Sequence, residues 1–246
     1  RNFFPVFIGR GVVQISAYLD SVIASLLPLG AVSSLSYAQT IYLLPISLFG
    51  MSISAAELPA MAQVRGEEGE IAAALRLRLS RGLRHIAFFV IPSAIGFFVL
   101  GRWIIGAVFQ TGRFTATDTD YVWLVLAVSS VGLLSGTLAR LYSSTFYALK
   151  DPRTPLRFSL IRVIVSIAAG AFEALALPDL LGIAPSWGLP GLVGGSALAT
   201  ITEYLLLKHA LGRRIGATGL PGRFLVQCFG AAGGASGLAL GISTVL

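Results

Sequence analysis

The chain has 246 residues, 55% of them hydrophobic and 12% charged, with a formal net charge of +7. A soluble domain carries roughly 25% charged residues, so this composition and a mean hydropathy of +0.82 argue against a water-soluble fold. The single Cys228 lies in an apolar run and builds neither a disulfide framework nor a cysteine metal site.

About 20 apolar residues in a helix cross the roughly 30 Å hydrocarbon core of a bilayer. Seven such runs follow one another: Pro5 to Pro28, Leu35 to Met61, Ile86 to Phe109, Tyr121 to Leu149, Leu156 to Leu177, Leu192 to Leu211 and Phe224 to Leu246. The runs are continuous, whereas barrel strands alternate over about ten residues. The expected fold is therefore all-α, a polytopic transmembrane helix bundle of about seven spans. Arg1 leads directly into a full-length span without an initiating methionine. That start has the wrong shape for a cleavable signal peptide and reads as a piece of a longer chain.

Lys and Arg fall on alternate loops. Arg65, Arg76, Arg78, Arg81 and Arg84 follow span two; Lys150, Arg153 and Arg157 follow span four; Lys208, Arg213, Arg214 and Arg223 follow span six. Short loops rich in these residues stay cytoplasmic, which predicts a cytoplasmic N-terminus. Basic residues that flank spans, without interleaved aromatics, do not form a nucleic-acid surface. Within the first basic loop, Ile71, Leu75, Leu79 and Leu83 recur every fourth residue between charges, the pattern of an amphipathic helix lying at the lipid interface. Glycine clusters at Gly191, Gly194, Gly195 and at Gly230, Gly233, Gly234 read as close helix-packing surfaces.

Ionisable groups at bilayer depth normally face a bundle interior or a watery cavity. Arg10 and Asp20 lie in span one, Arg140 in span four, Arg162 and Glu173 in span five, and Glu203 in span six. Arg10, Gln14 and Ser21 share one face of span one, which reads as a cavity lining. Arg10 has the alternative of snorkelling to the surface, whereas the short Asp20 side chain does not. Arg162 and Glu173 lie near span ends and are expected to snorkel. Asp20 is a possible cation ligand together with Ser166, Ser196 or Thr200, since oxygen ligands suit hard cations. Pro45 and Gly50 near the middle of span two mark the expected hinge.

Several motifs then carry a resemblance. Ala24-Ser25, Gly30-Ala31-Val32-Ser33, Tyr37-Ala38, Pro45, Leu48-Phe49-Gly50 and Leu58-Pro59 are similar to the seventh and eighth helices of the MurJ/MviN family. Phe109-Gln110-Thr111-Gly112-Arg113-Phe114-Thr115 resembles that family's loop after helix nine, and Phe146 to Pro155 its loop between helices ten and eleven. The resemblance implies a member of the multidrug/oligosaccharidyl-lipid/polysaccharide exporter superfamily in a bacterial inner membrane. Residues 1–222 would be the second of two six-helix lobes and residues 223–246 the start of a further helix, with the first lobe missing. It also implies a lipid II flippase that works by alternating access around a cationic cavity, to which this lobe would contribute Arg10, Gln14, Asp20, Gln39, Thr40 and Arg140. Where the family usually carries an arginine after Tyr-Ala-x and often an acid three residues on, this chain has Thr40 and Leu43.

The implied partners are a lipid-linked anionic glycan and membrane lipids, with no resident cofactor and with membrane potential or a coupled cation as the driving force. Two alternatives remain open: export of another lipid-linked glycan or amphipathic compound, and a degenerate flippase-like membrane scaffold. Enzyme chemistry would need clustered acids for a metal or a positioned nucleophile and base, and the sequence offers neither. His85 and His209 sit beside basic residues at membrane ends.

Overall fold

The computed structural model describes residues 18–243, which are helical throughout apart from short connections, with no strand among the described residues. Helix α1, described over residues 18–25, is followed by a turn at Pro28 and Gly30. Gly30 takes φ +94°, a conformation that side-chain-bearing residues rarely adopt. Pro28 thus lies in the turn and not inside a span.

Helix α2 (Ala31–Pro45), a π-helical turn (Ile46–Met51) and α3 (Ser52–Ala62) form a single apolar rod of 32 residues. The wide turn begins directly after Pro45, which lacks an N–H to continue the ladder. Serine hydroxyls cover the loosened carbonyls: Ser47 donates to Leu43 and Leu44 at 2.7 and 3.1 Å, and Ser52 donates to Ser47 at 3.1 Å. In lipid, where no water serves these groups, such side chains keep the break tolerable.

Helix α4 (Glu68–Phe109) starts at a capping box made by Glu67 and Glu70 and runs 42 residues. Its length of about 63 Å is roughly twice the hydrocarbon core. The amphipathic segment is therefore the continuation of the third span and not a separate interfacial helix. Leu75, Leu79 and Leu83 are essentially inaccessible (0–1% exposed), packed into the protein and not into lipid.

The fourth span is not one straight helix. Helix α5 (Ala116–Ser130) and α6 (Leu133–Ala148) meet at a bend of 43°. Gly132, at the bend, lies so close to a later helix that a Cβ there would stand 3.0 Å from the Ala197 Cα. After a short connection come α7 (Arg153–Ala171), a second π-helical turn (Phe172–Ala176), α8 (Leu177–Leu181), a 3-10 turn (Pro185–Trp187), α9 (Gly188–Ile215) and α10 (Gly222–Ser243). Among the described residues, four helical segments are long and apolar enough to cross a membrane, and five if the bent pair counts as one span. The 28-residue α9 carries Glu203 and a basic last turn and lies between α5, α6 and α7.

Helices α7 and α9 are the most intimately packed pair. A Cβ at Gly195 would sit 2.5 Å from the Gly170 nitrogen, and one at Gly191 would sit 2.6 Å from the Glu173 carbonyl oxygen. The first glycine cluster is thus a packing surface as expected. Gly230, Gly233 and Gly234 on α10 face open space among the described residues.

Contacts at both ends show how the loops gather. At one end Arg214 pairs with Asp151 at 2.7 Å, the Tyr142 hydroxyl donates to Thr218, and Arg76 lies against Gly216. Lys150 there takes φ +58°, the left-handed position that ends α6, and Asp151 then accepts from the Arg153 and Thr154 amides to start α7. At the other end Tyr37 packs on Phe109 and Phe114, and the Tyr121 hydroxyl donates to the Ser186 carbonyl. The basic connections therefore share one face of the bundle.

Candidate functional site

A polar seam crosses the interior where α1, α7 and α9 meet. Ser196 of α9 donates to Asp20 Oδ2 at 3.4 Å and shares a 2.9 Å hydrogen bond with Ser166 of α7. Asp20 Oδ1 is buried with no hydrogen-bond partner among the described residues. The Thr200 hydroxyl donates to the Ser196 carbonyl at 2.8 Å, one turn along α9, and so braces Ser196 instead of facing Asp20. The sequence could not place these helices together, yet Asp20, Ser166 and Ser196 do converge.

One helical turn from Ser166, Arg162 reaches across to Glu203 of α9 at 3.4 Å. This overturns the expectation that Arg162 snorkels: its side chain is 22% exposed and that of Glu203 is 9% exposed. The ion pair replaces a long reach to the surface with a neutralising partner inside the bundle. Glu203 was legible as an intramembrane acid but not as Arg162's partner. The available signal was opposite charges in consecutive spans. Tyr42 of α2 and Arg140 of α6 lie within electrostatic reach of this pair. Tyr42 had no distinguishing feature in the sequence.

Arg140 is exposed and makes no side-chain hydrogen bond or ion pair among the described residues. Thr40 is also exposed, but its hydroxyl is turned onto the Ser36 carbonyl at 2.9 Å, and neighbouring Gln39 is half-buried. Glu173 is half-buried. It lies in the second π-helical turn with Oε2 beside Gly194, where a Cβ would stand 3.0 Å away. Gly50, in the first π-helical turn, is buried against the Thr137 methyl. Arg10 and Gln14 lie outside the described residues.

Chemically, the carboxylate and two hydroxyls around Asp20 offer four hard oxygens, and a hard divalent cation takes six or more. Backbone or water ligands would have to complete such a shell. No group of three or more His, Cys, Asp or Glu side chains that could hold a metal occurs among the described residues. The seam suits charge and proton-bearing groups held at depth by neighbouring helices, a property of transport pathways.

A family model described as "Lipid II flippase MurJ" matches residues 1–242. The chain belongs to the MurJ lipid II flippase family. Relatives named "Probable lipid II flippase MurJ" include one from Haemophilus influenzae, 32% identical over 85% of this chain and 40% of its own length. Another, from Helicobacter pylori, is 31% identical over 86% of this chain and 44% of its own length. A solved structure titled "Lipid II flippase MurJ, inward closed conformation" superposes with a TM-score of 0.79 at 25% identity, covering 94% of this chain and 45% of that one. The chain thus spans about two fifths of the length of the curated relatives it matches. With its apolar helices, family membership makes this a segment of a multi-pass membrane protein, in a family of transporters and not of enzymes.

Proposed function

We propose that the full-length protein moves lipid II across a bacterial inner membrane by alternating access. In this reading residues 1–222 form its second six-helix lobe and residues 223–246 begin a further helix, with a first lobe completing the cavity. The observation that carries the reading is the superposition on an inward-closed flippase of a bundle whose interior holds Asp20, Arg162 and Glu203 at depth. Such groups are costly in lipid and pay their way only where helices exchange partners or water.

Membrane potential or a coupled cation supplies the driving force, with Asp20, Ser166 and Ser196 as the cation's protein ligands and Thr200 holding Ser196 in place. The basic connections face the cytoplasm, as their Lys and Arg content favours. Arg10, in the first apolar run of the sequence, replaces the cationic contact that Thr40 does not provide, and Arg140 adds a second positive group. Arginine suits a pyrophosphate by charge and fork geometry.

One observation favours a second reading, a different lipid-linked or amphipathic cargo: the expected helix-eight arginine is Thr40, whose hydroxyl is already used by its own helix. Depleting a host's lipid II flippase while expressing the full-length protein separates the two. The first reading expects growth to be rescued with lipid II exposed on the outer leaflet, and expects Arg10→Ala to weaken that rescue. Correct membrane expression without lipid II exposure would favour another cargo.

A further inference from the structure

Away from the polar seam, the last turns of α4 and the first turns of α5 enclose a recess of about 320 Å³ on the face opposite the basic connections. Arg102 stands at its rim and pairs with Asp120 through both Nε and Nη2. Both side chains remain about half exposed, at 51% and 49%. An exposed ion pair of this kind contributes little to stability, so its position is informative about binding.

Three features describe what the recess would accept. First, the exposed surface of α4 changes along its length from Phe98 to Trp103, Arg102 and Gln110. Half-exposed tryptophan beside a snorkelling arginine marks the headgroup level of a bilayer. Second, the charges here balance. Along residues 102–120 Arg102 and Arg113 are matched in number by Asp118 and Asp120, with no lysine. The basic end of the bundle attracts anionic headgroups by contrast, whereas this end matches a headgroup that carries both signs. Third, the floor is kept open by Gly106: a Cβ there would stand 3.2 Å from Gln110 Oε1 and 3.6 Å from Thr119 Cγ2. Gln110 also lines the recess, and the Thr119 hydroxyl, which donates to the Thr115 carbonyl at 3.1 Å, lies 3.4 Å from its Oε1.

We infer that this recess binds the headgroup of phosphatidylethanolamine from the adjoining leaflet. The lipid phosphate takes N–H groups from Arg102 and Gln110, the ammonium donates to Asp120, and the acyl chains continue down the α4 surface past Phe98. A primary ammonium has three N–H donors for the carboxylate, whereas a quaternary choline has none. Discrimination between the two lipids therefore reports on Asp120. This site does not depend on what the protein transports.

The test uses the purified full-length protein equilibrated with an equimolar mixture of phosphatidylethanolamine, phosphatidylcholine and phosphatidylglycerol, with retained lipid counted by native mass spectrometry. Wild type is expected to retain phosphatidylethanolamine about fivefold over each of the others, the factor that one or two hydrogen bonds supply. Asp120→Asn and Arg102→Gln should remove that preference. Gly106→Val should remove it too, by filling the floor while leaving both charges, and it carries the test if an ion-pair variant misfolds. Equal retention of the three lipids by wild type, or an undiminished preference in folded Gly106→Val protein, would overturn the site.

Discussion

Arg162 and Glu203 each bring a charge into the bundle, and their value lies in their pairing. Removing one leaves the other buried without a partner, which typically costs about 3–5 kcal/mol. Glu203→Ala or Arg162→Ala should therefore lower the melting temperature of the purified protein strongly, while Arg162→Leu/Glu203→Leu should recover most of the loss. Equal damage by single and double variants would mean that the pair is not the stabilising unit. At the basic end, burial raises the Asp151 carboxyl. Hydrogen bonds from the Thr154 hydroxyl and amide, the Arg214 charge and the Arg153 amide outweigh it and hold the group below its ordinary value. A depressed carboxylate contributes stability above its unfolded pKa of about 3.9 and loses it as pH falls through the lower folded value. Asp151→Asn should thus destabilise at neutral pH by an amount that shrinks below about pH 4, measured by melting across pH. The charges at these positions were legible in the sequence. Their partners were not, because a partner on another helix depends on rotation and depth that residue spacing does not encode.

Among the described residues the helical elements depart from regularity at three places, and the sequence signals them unevenly. Pro45 and Gly50 marked the first break, where a π-helical turn begins directly after Pro45 and contains Gly50. The bend between α5 and α6 has no proline, and the close approach of Gly132 to Ala197 that accompanies it is visible only once α9 is in place. The second π-helical turn, at Phe172–Ala176, likewise has no residue that announces it. Gly50→Ala forces a new methyl onto the Thr137 methyl and should cost about 1–3 kcal/mol. Adding Thr137→Ser should restore stability, because it removes that methyl and keeps the hydroxyl that donates to Leu133. Gly195→Leu presses on the Gly170 backbone and should abolish a monodisperse fold, whereas Gly233→Leu, facing open space, should leave the size-exclusion profile unchanged.

At the scale of the whole molecule, composition and charge pattern were sufficient for an all-α membrane bundle with its basic connections on one face. The family motifs after α4 and between α6 and α7 were legible because they lie in loops and at helix ends, where backbone geometry restricts residue choice, as at Lys150 and Asp151. The extent of α4 was not, since hydropathy sees only its apolar half and a continuous helix can carry a polar half beyond the membrane. The central claim, that this lobe belongs to a lipid II flippase, is tested most directly by reconstituting the full-length protein into liposomes with labelled lipid II and measuring movement between leaflets. The account predicts translocation well above protein-free liposomes, reduced by Asp20→Ala and by Arg10→Ala. No movement of lipid II, from protein shown to be folded and correctly inserted, would contradict it.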